Sequence, residues 1–331
     1  MKNLKITSIL LVLVLLFTLA ACGQSNDNTG NDNANKDNLT ETPTETPIET
    51  ADASNEKETI YPISITDSFD REVTIDSEPE KIISLSPAIT EIVYALGQGD
   101  KLVGRTDYCD YPEEVVDIQS IGDLMDPNIE KIVELEPDIA IASAHFSEEV
   151  LKKLEESGVK VIILYGEESF DGTYEVIEKV GNTINANGKA SDIVDNMKVT
   201  VADVVQKVEG LEKPSVYYVV GFGEWGDFTA GSDTFIGQLI EMAGAKNAAD
   251  DVEGWSYSLE KLIEKNPDYL ISSKSDKHKE QLKTTNGYSE LDAVLNDKIY
   301  EIDKNKLERQ GPRIVEGLKE IAQYIHPDAF E

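Results

Sequence analysis

NIEKIVELEPDIAIAS occupies residues 128–143, and 130 residues later the chain writes nearly the same phrase again, as SLEKLIEKNPDYLISS at 258–273. Over the fifteen paired positions from Ile129 and Leu259 onward, seven are identical: Glu130/Glu260, Lys131/Lys261, Glu134/Glu264, Pro137/Pro267, Asp138/Asp268, Ile141/Ile271 and Ser143/Ser273. Most of the other pairs keep apolar character. Each copy reads as a short amphipathic helix, a Pro-Asp break that stops it, and an apolar, β-rich run that enters a sheet. Two copies are too few for a solenoid. They predict two similar α/β lobes.

Working outward, the first lobe opens with β material in ISITDSFDREVTI (63–75) and the strand KIISLS. Ser86-Pro87 then supplies an N-cap with proline at the first helical position, and Gly97 ends the helix after Leu96. Further strands are expected at 102–104, 139–143 and 159–164 with helices between them, an alternation that predicts a mostly parallel sheet. From 172 to 209 the apolar spacing turns wholly helical through Val176, Ile177, Val180, Ile184, Ile193, Met197, Val201, Val204, Val205 and Val208, with Gly181 and Gly188 as expected interruptions. So long a helical stretch between two lobes reads as a stiff connector. Pro214 starts the second lobe with the strand SVYYVVGF, and a helix after Ser232, the second copy of the phrase, a strand over 299–302 and a last helix over 312–324 follow. The expected division is residues 59–171, 172–212 and 213–331.

The amino-terminal end has a different composition. Lys2 and Lys5 precede a small-or-apolar run over 9–21 that ends in LAACG (19–23), and thirteen residues fall short of the roughly 20 that span a bilayer. This stretch resembles a bacterial lipoprotein signal, which implies cleavage after residue 21, lipid on Cys22, and a mature protein tethered to the outer face of the cytoplasmic membrane. More than one acyl chain makes such a tether stable. Residues 22–58 hold almost nothing apolar and include TETPTETPIET, so they predict a flexible acidic linker. Lys plus Arg number 30 against 64 Asp plus Glu, a formal charge of −34, which argues against nucleic acid or anionic lipid surfaces as partners. With Cys22 lipidated, Cys109 is left alone and no intramolecular disulfide can form.

In order along the chain stand KIISLSPAITEIVYALG, DYCDYPEEV, DPNIEKIVELEPDIAIAS, DFTAGSDTFIGQLIEMAGAKNAADD, GWSYSLEKLIEKNPDYLISS and ERQGPRIVEGL. As an ordered set these resemble the binding proteins of ABC importers for cobalamin and iron-siderophores, over essentially everything from Ile63 onward. The resemblance implies an α/β fold of two lobes with mostly parallel sheets joined by one long rigid helix, a ligand held in the cleft between them, a monomer, and an ABC permease with its ATPase as partners. Within this class the likeness is greatest to cobalamin binders. It implies ligand contacts from Pro87 and Ala88 at a turn, from Tyr108, Phe222 and Trp255 as aromatic walls, and from the charged pair Glu308 and Arg309. Aromatic walls and a few polar groups suit a flat macrocycle with an amide rim. It also places the permease-docking glutamates at Glu130 and Glu260. Two further cleft tryptophans of that class correspond to Leu124 and Ser143, so a corrinoid leads, with an iron-siderophore or haem behind it. A sensor built on the same fold is the other class of function.

Nothing in the sequence asks for catalysis or a cofactor. GFGEWG (221–226) fits G-x-G-x-x-G after a strand, but Gly226 leads into DFTAG and not into the helix whose amino terminus would receive a pyrophosphate. No nucleophile elbow, no HExxH and no zinc-spaced Cys/His cluster is present. His145 follows a strand end, where α/β proteins gather ligand contacts. Cys109 has no metal-binding partner in the sequence, and no metal site is expected.

Overall fold

The computed structural model describes residues 58–331. The signal-like residues 1–21, Cys22 and the linker up to residue 57 lie outside the described residues. A hairpin of β1 (Ile63–Thr66) and β2 (Glu72–Ile75) comes first. The first lobe then sets β3 (Ile82–Ser84), β4 (Leu102–Arg105), β5 (Ile139–Ala142) and β6 (Val161–Ile163) in one parallel sheet of order β4-β3-β5-β6. The helices α1 (Pro87–Ala95), α2 (Ile129–Glu134) and α3 (Glu148–Glu156) run between these strands. Two helices follow, α4 (Phe170–Thr183) and α5 (Asn187–Val208).

The second lobe repeats the plan. Strands β7 (Ser215–Val219), β9 (Lys246–Asn247), β11 (Tyr269–Ser273) and β12 (Ile299–Ile302) form a parallel sheet of order β12-β11-β7-β9, and β8 (Asp227–Phe228) pairs separately with β10 (Ser256–Tyr257). Its helices are α6 (Phe235–Met242), α7 (Leu259–Lys265), α8 (His278–Leu282), α9 (Asp292–Leu295), α10 (Asn305–Glu308) and α11 (Ile314–Ile325).

The repeated phrase does the same physical work in both sheets. Its helices are α2 and α7, capped by Asn128 and Ser258, whose side chains accept from the backbone N–H of the identical residues Lys131 and Lys261. Its strands β5 and β11 are interior, each between the strand that opens its lobe and the strand that closes it. Before each proline the chain takes a left-handed turn, at Glu136 (φ +47°) and Asn266 (φ +41°). The identical aspartates then pin the opening strand of their own lobe. Asp138 Oδ2 accepts from the N–H groups of Glu80 and Lys81 at 2.8 and 2.9 Å, and Asp268 Oδ2 accepts from Ser215 N at 2.8 Å and its Oγ at 2.7 Å.

Both faces of each sheet are buried, as parallel sheets require. Ile139 and Ile141 of β5 point into one core, and Ala140 and Ala142 into another with Ile132, Val150 and Leu154. The first core continues through α4, α5, α6 and α11 to Val216, Tyr218 and Ile271 of the second sheet, so one apolar mass joins the lobes. The expected single helix over 172–209 is two helices. The break falls at Ile184, Asn185 and Ala186, where Asn185 is left-handed at φ +59°. Neither glycine makes it. Gly181 instead lets the helices approach, since a Cβ there would stand 2.6 Å from that of Ala190. The connector proper is α5, 22 residues and about 33 Å long, which touches α4 on one side and α11 on the other.

Candidate functional site

A cavity of about 360 Å³ opens between the lobes at the carboxyl ends of the strands, the position that receives ligands in open α/β sheets. His145, three residues past β5, and Glu168, just before α4, line it from the first lobe. From the second lobe come Val220 past β7, Phe235 and Ile236 in the first turn of α6, and Trp255 before β10. Leu307, Glu308 and Gln310 close it from α10 and the residues after it. The wall is thus apolar and aromatic, and the polar groups are few and grouped.

Local structure explains these placements. Thr234 caps α6 by accepting from Gly237 N–H, which presents Phe235 and Ile236 at the mouth. The Trp255 carbonyl accepts from Thr229 N–H at 2.8 Å and fixes that loop. Glu167 and Glu168 fold back onto the first turn of α4, where a Cβ at Gly172 would stand 2.2 Å from the Glu167 carbonyl oxygen. That close approach lets the loop reach the other lobe. Glu168 Oε2 accepts from Phe235 N–H at 3.4 Å, Gln238 Nε2 donates to the Glu168 carbonyl at 3.2 Å, and Gln310 Nε2 donates to that of Glu167 at 3.4 Å.

Beside the cavity a charged cluster bridges the lobes. Glu91, on α1, is only 3% exposed. Its carboxylate accepts from Arg313 Nε and Nη2, both at 2.7 Å, and from Arg309 Nη1 at 2.9 Å. Arg309 also donates to Asp110 at 2.6 Å and to the Tyr108 carbonyl at 3.3 Å. Arg313 reaches Asp303 at 3.2 Å, and its guanidinium lies 3.8 Å from the centre of the Tyr111 ring. Burial alone would lower both guanidinium pKa values, but hydrogen bonds to Glu91 and to Asp110 or Asp303 outweigh it and hold them above the ordinary value. A second hollow of about 450 Å³, lined by Glu91, Tyr94, Tyr111, Pro312 and Arg313, lies against this cluster and away from Trp255 and His145.

Trp255, Glu308 and His145 stand together on the cavity, with Trp255 43% exposed. Among the described residues Glu308, exposed on the cavity, makes no hydrogen bond or ion pair through its carboxyl, and partial desolvation, with Asp276 and Asp303 behind it, pushes that carboxyl above the usual range. Tyr108 is half-exposed and does not line the cavity, its hydroxyl donating to Asp123 at 3.1 Å. Pro87 and Ala88 form the partly buried first turn of α1, which faces Gly311. Of the expected contacts Trp255 and Glu308 line the cavity, and Pro87, Ala88, Tyr108, Phe222 and Arg309 do not. The Phe222 ring packs against Tyr288 and His278, at 5.3 and 5.1 Å between centres, and does not line the cavity. Arg309 is spent on the interlobe cluster. Cys109 is buried, its sulfur accepting from the Thr90 hydroxyl at 3.1 Å. Glu130 and Glu260 are both exposed in the first turns of α2 and α7. Among the described residues no three His, Cys, Asp or Glu side chains converge on a common point.

The sequence reading missed Glu168, Phe235, Ile236, Gln310 and Glu91. Only Glu91 left a signal, as a lone charge inside the apolar helix PAITEIVYA. A family profile described as "periplasmic binding protein" matches residues 82–306, more than half of the chain. The chain belongs to the periplasmic binding protein family. It is 36% identical over 285 residues to an uncharacterised ABC transporter substrate-binding lipoprotein of Bacillus subtilis, a match covering 84% of this chain and 90% of that one. It is 27% identical over 293 residues to a cobalamin-binding protein of Halobacterium salinarum, covering 85% and 78%. Among solved structures it resembles a possible iron-binding, periplasmic solute-binding protein of Staphylococcus epidermidis at TM-score 0.66 and 36% identity, covering 76% of this chain and all of that one. A binding protein of this family is a component of transport and not an enzyme. Among the described residues no helix is long and apolar enough to cross a membrane.

Proposed function

We propose that this protein captures a corrinoid outside the cytoplasmic membrane, held there by lipid on Cys22, and delivers it to an ABC permease. The observation that carries the ligand choice is the division of the cavity into an apolar wall, with Phe235, Trp255, Val220 and Leu307, and a hydrogen-bonding edge, with Glu168, Glu308 and Gln310. A corrin ring offers a broad apolar face and a rim of carboxamides. The wall buries the first, and carboxylate and amide oxygens accept from the second. A corrinoid with its side chains is larger than the cavity as it stands, so seating one requires breaking the contacts of Gln310 with Glu167 and of Gln238 with Glu168. Those side chains are then the first freed to bind it. The cobalamin-binding name of the Halobacterium relative supports the same choice. An iron chelate is the second reading, favoured by His145 on the cavity and by the Staphylococcus structure.

The deciding experiment mixes the purified protein with cobalamin, cobinamide, haem or a ferric siderophore, desalts it and reads the retained colour. Corrinoid colour is expected to stay with the protein and tryptophan fluorescence to fall. Trp255→Ala is expected to weaken binding by about 1–3 kcal/mol, as for a central aromatic contact. Calorimetry that shows no heat with any corrinoid and tight binding of a ferric chelate overturns the ligand and keeps the family.

A further inference from the structure

We infer that Glu168 and Glu308 select ligands by charge: the cavity takes macrocycles whose rim is neutral or cationic and rejects those whose rim carries carboxylates. This rests on the reading of the cavity as the ligand site. Two devices near it would ordinarily bind an anion, and the protein's own carboxylates already occupy both. The first is the amino terminus of α6, where unpaired N–H groups and the helix dipole attract negative charge. Glu168 reaches across from the other lobe and accepts from Phe235 N–H there at 3.4 Å, while Thr234 takes Gly237 N–H. The second is Arg309, the guanidinium next in sequence to Glu308, whose donors go to Glu91, Asp110 and the Tyr108 carbonyl.

What remains on the cavity is negative. Its lining holds no Lys or Arg, and among the described residues that line it only His145 is able to carry positive charge. The nearby cation Lys304 is paired with Asp276 at 3.2 Å. Among the described residues Glu308 has no partner, and although it is exposed on the cavity its charge is disfavoured by partial desolvation and by Asp276 and Asp303. An incoming carboxylate would meet two more and find no Lys or Arg to pair with, only His145, and unpaired like charges set together at an interface disfavour the wrong partner strongly.

The test compares two probes that share one macrocycle. Cobinamide carries amides on its rim, and cobyrinic acid carries carboxylates in their place. The parent is expected to bind cobinamide about a hundredfold more tightly than cobyrinic acid, and Glu168→Gln with Glu308→Gln to narrow that ratio to about tenfold or less. Glutamine keeps an acceptor oxygen at both positions, so the change isolates charge, and far-ultraviolet circular dichroism verifies the fold. Raising the salt is expected to narrow the ratio in the parent more than in the variant. Equal affinity of the parent for both probes, or a ratio the double variant leaves unchanged, overturns the inference. If neither corrinoid binds, the corrinoid reading falls while the charge rule is judged on haem against its propionate diester. There a parent that holds the acid as tightly as the ester overturns it, and so does a parent that holds neither.

Discussion

Glu308 is the residue at which the site's chemistry and the protein's stability meet. Its carboxyl lies exposed on the cavity, unpaired among the described residues, and is raised in the folded protein by partial desolvation first, with Asp276 and Asp303 adding and Lys304 and Arg309 opposing. The folded state therefore holds this proton more tightly than the unfolded chain does. Linkage then fixes the sign. The group's contribution is most favourable below the ordinary glutamate value of roughly 4.3 and falls as pH rises through the raised folded value. Glu308→Gln, which never ionises, is expected to melt above the parent at neutral pH, with the difference shrinking as pH falls to about 4. Melting curves at the two pH values check this. A parent at least as stable as the variant at neutral pH, or a gap that ignores pH, would show that ionised Glu308 does not destabilise the fold. A ligand amide donating to the ionised carboxylate would supply the partner this residue lacks.

At the scale of elements, the segment from α10 into α11 does two jobs in seven residues. Leu307, Glu308 and Gln310 face the cavity, while Arg309 and Arg313 hold Glu91 of α1. Glu91 and Arg313 are both nearly sealed from water, so Glu91→Gln removes the carboxylate that the two guanidinium groups share, leaving Arg309 to Asp110 and Arg313 to Asp303, and is expected to cost about 1.5–3 kcal/mol in urea unfolding. A loss under about 1 kcal/mol would mean the cluster is solvated and joins nothing. The repeated phrase was legible because its information is local: a cap, a helical period, a Pro-Asp break and a strand-like run are all read within sixteen residues. The break at Asn185 was not, because its left-handed turn is held from elsewhere, by Thr59 N–H at 2.7 Å and by Glu78 at 2.6 Å, while the apolar period runs on through Val180 and Ile184. The site divides the same way. Trp255 and Glu308 sit in motifs with recognisable order. Glu168, Phe235 and Gln310 converge only when the two lobes meet, and the Phe222 ring packs on Tyr288, 66 residues away, a contact that its own motif does not announce.

At the scale of the whole molecule, two lobes of identical strand order, joined by one core and the Glu91 cluster, present equivalent surfaces a fixed distance apart. Glu130 and Glu260 occupy matching places on them, exposed, each two residues after the cap of its helix. A single glutamate there needs no function, since negative charge near a helix amino terminus contributes about 0.3–1 kcal/mol by itself. A matched pair on two lobes whose separation is set by a shared core suits a partner with two equivalent subunits, and the resemblance to importer binding proteins supplies one in the permease. We propose both glutamates as its docking contacts. Exposed ion pairs of this kind set orientation and association rate more than tightness, and they weaken with salt. Glu130→Arg combined with Glu260→Arg is therefore expected to leave ligand affinity and melting temperature nearly unchanged while uptake through the importer collapses, with each single change falling between. Uptake by whole cells, measured alongside calorimetry on the purified protein, separates the outcomes. Normal transport by the double variant would refute the docking assignment, and so would a loss of ligand binding, because these side chains would then be serving the cavity or the fold and not a partner.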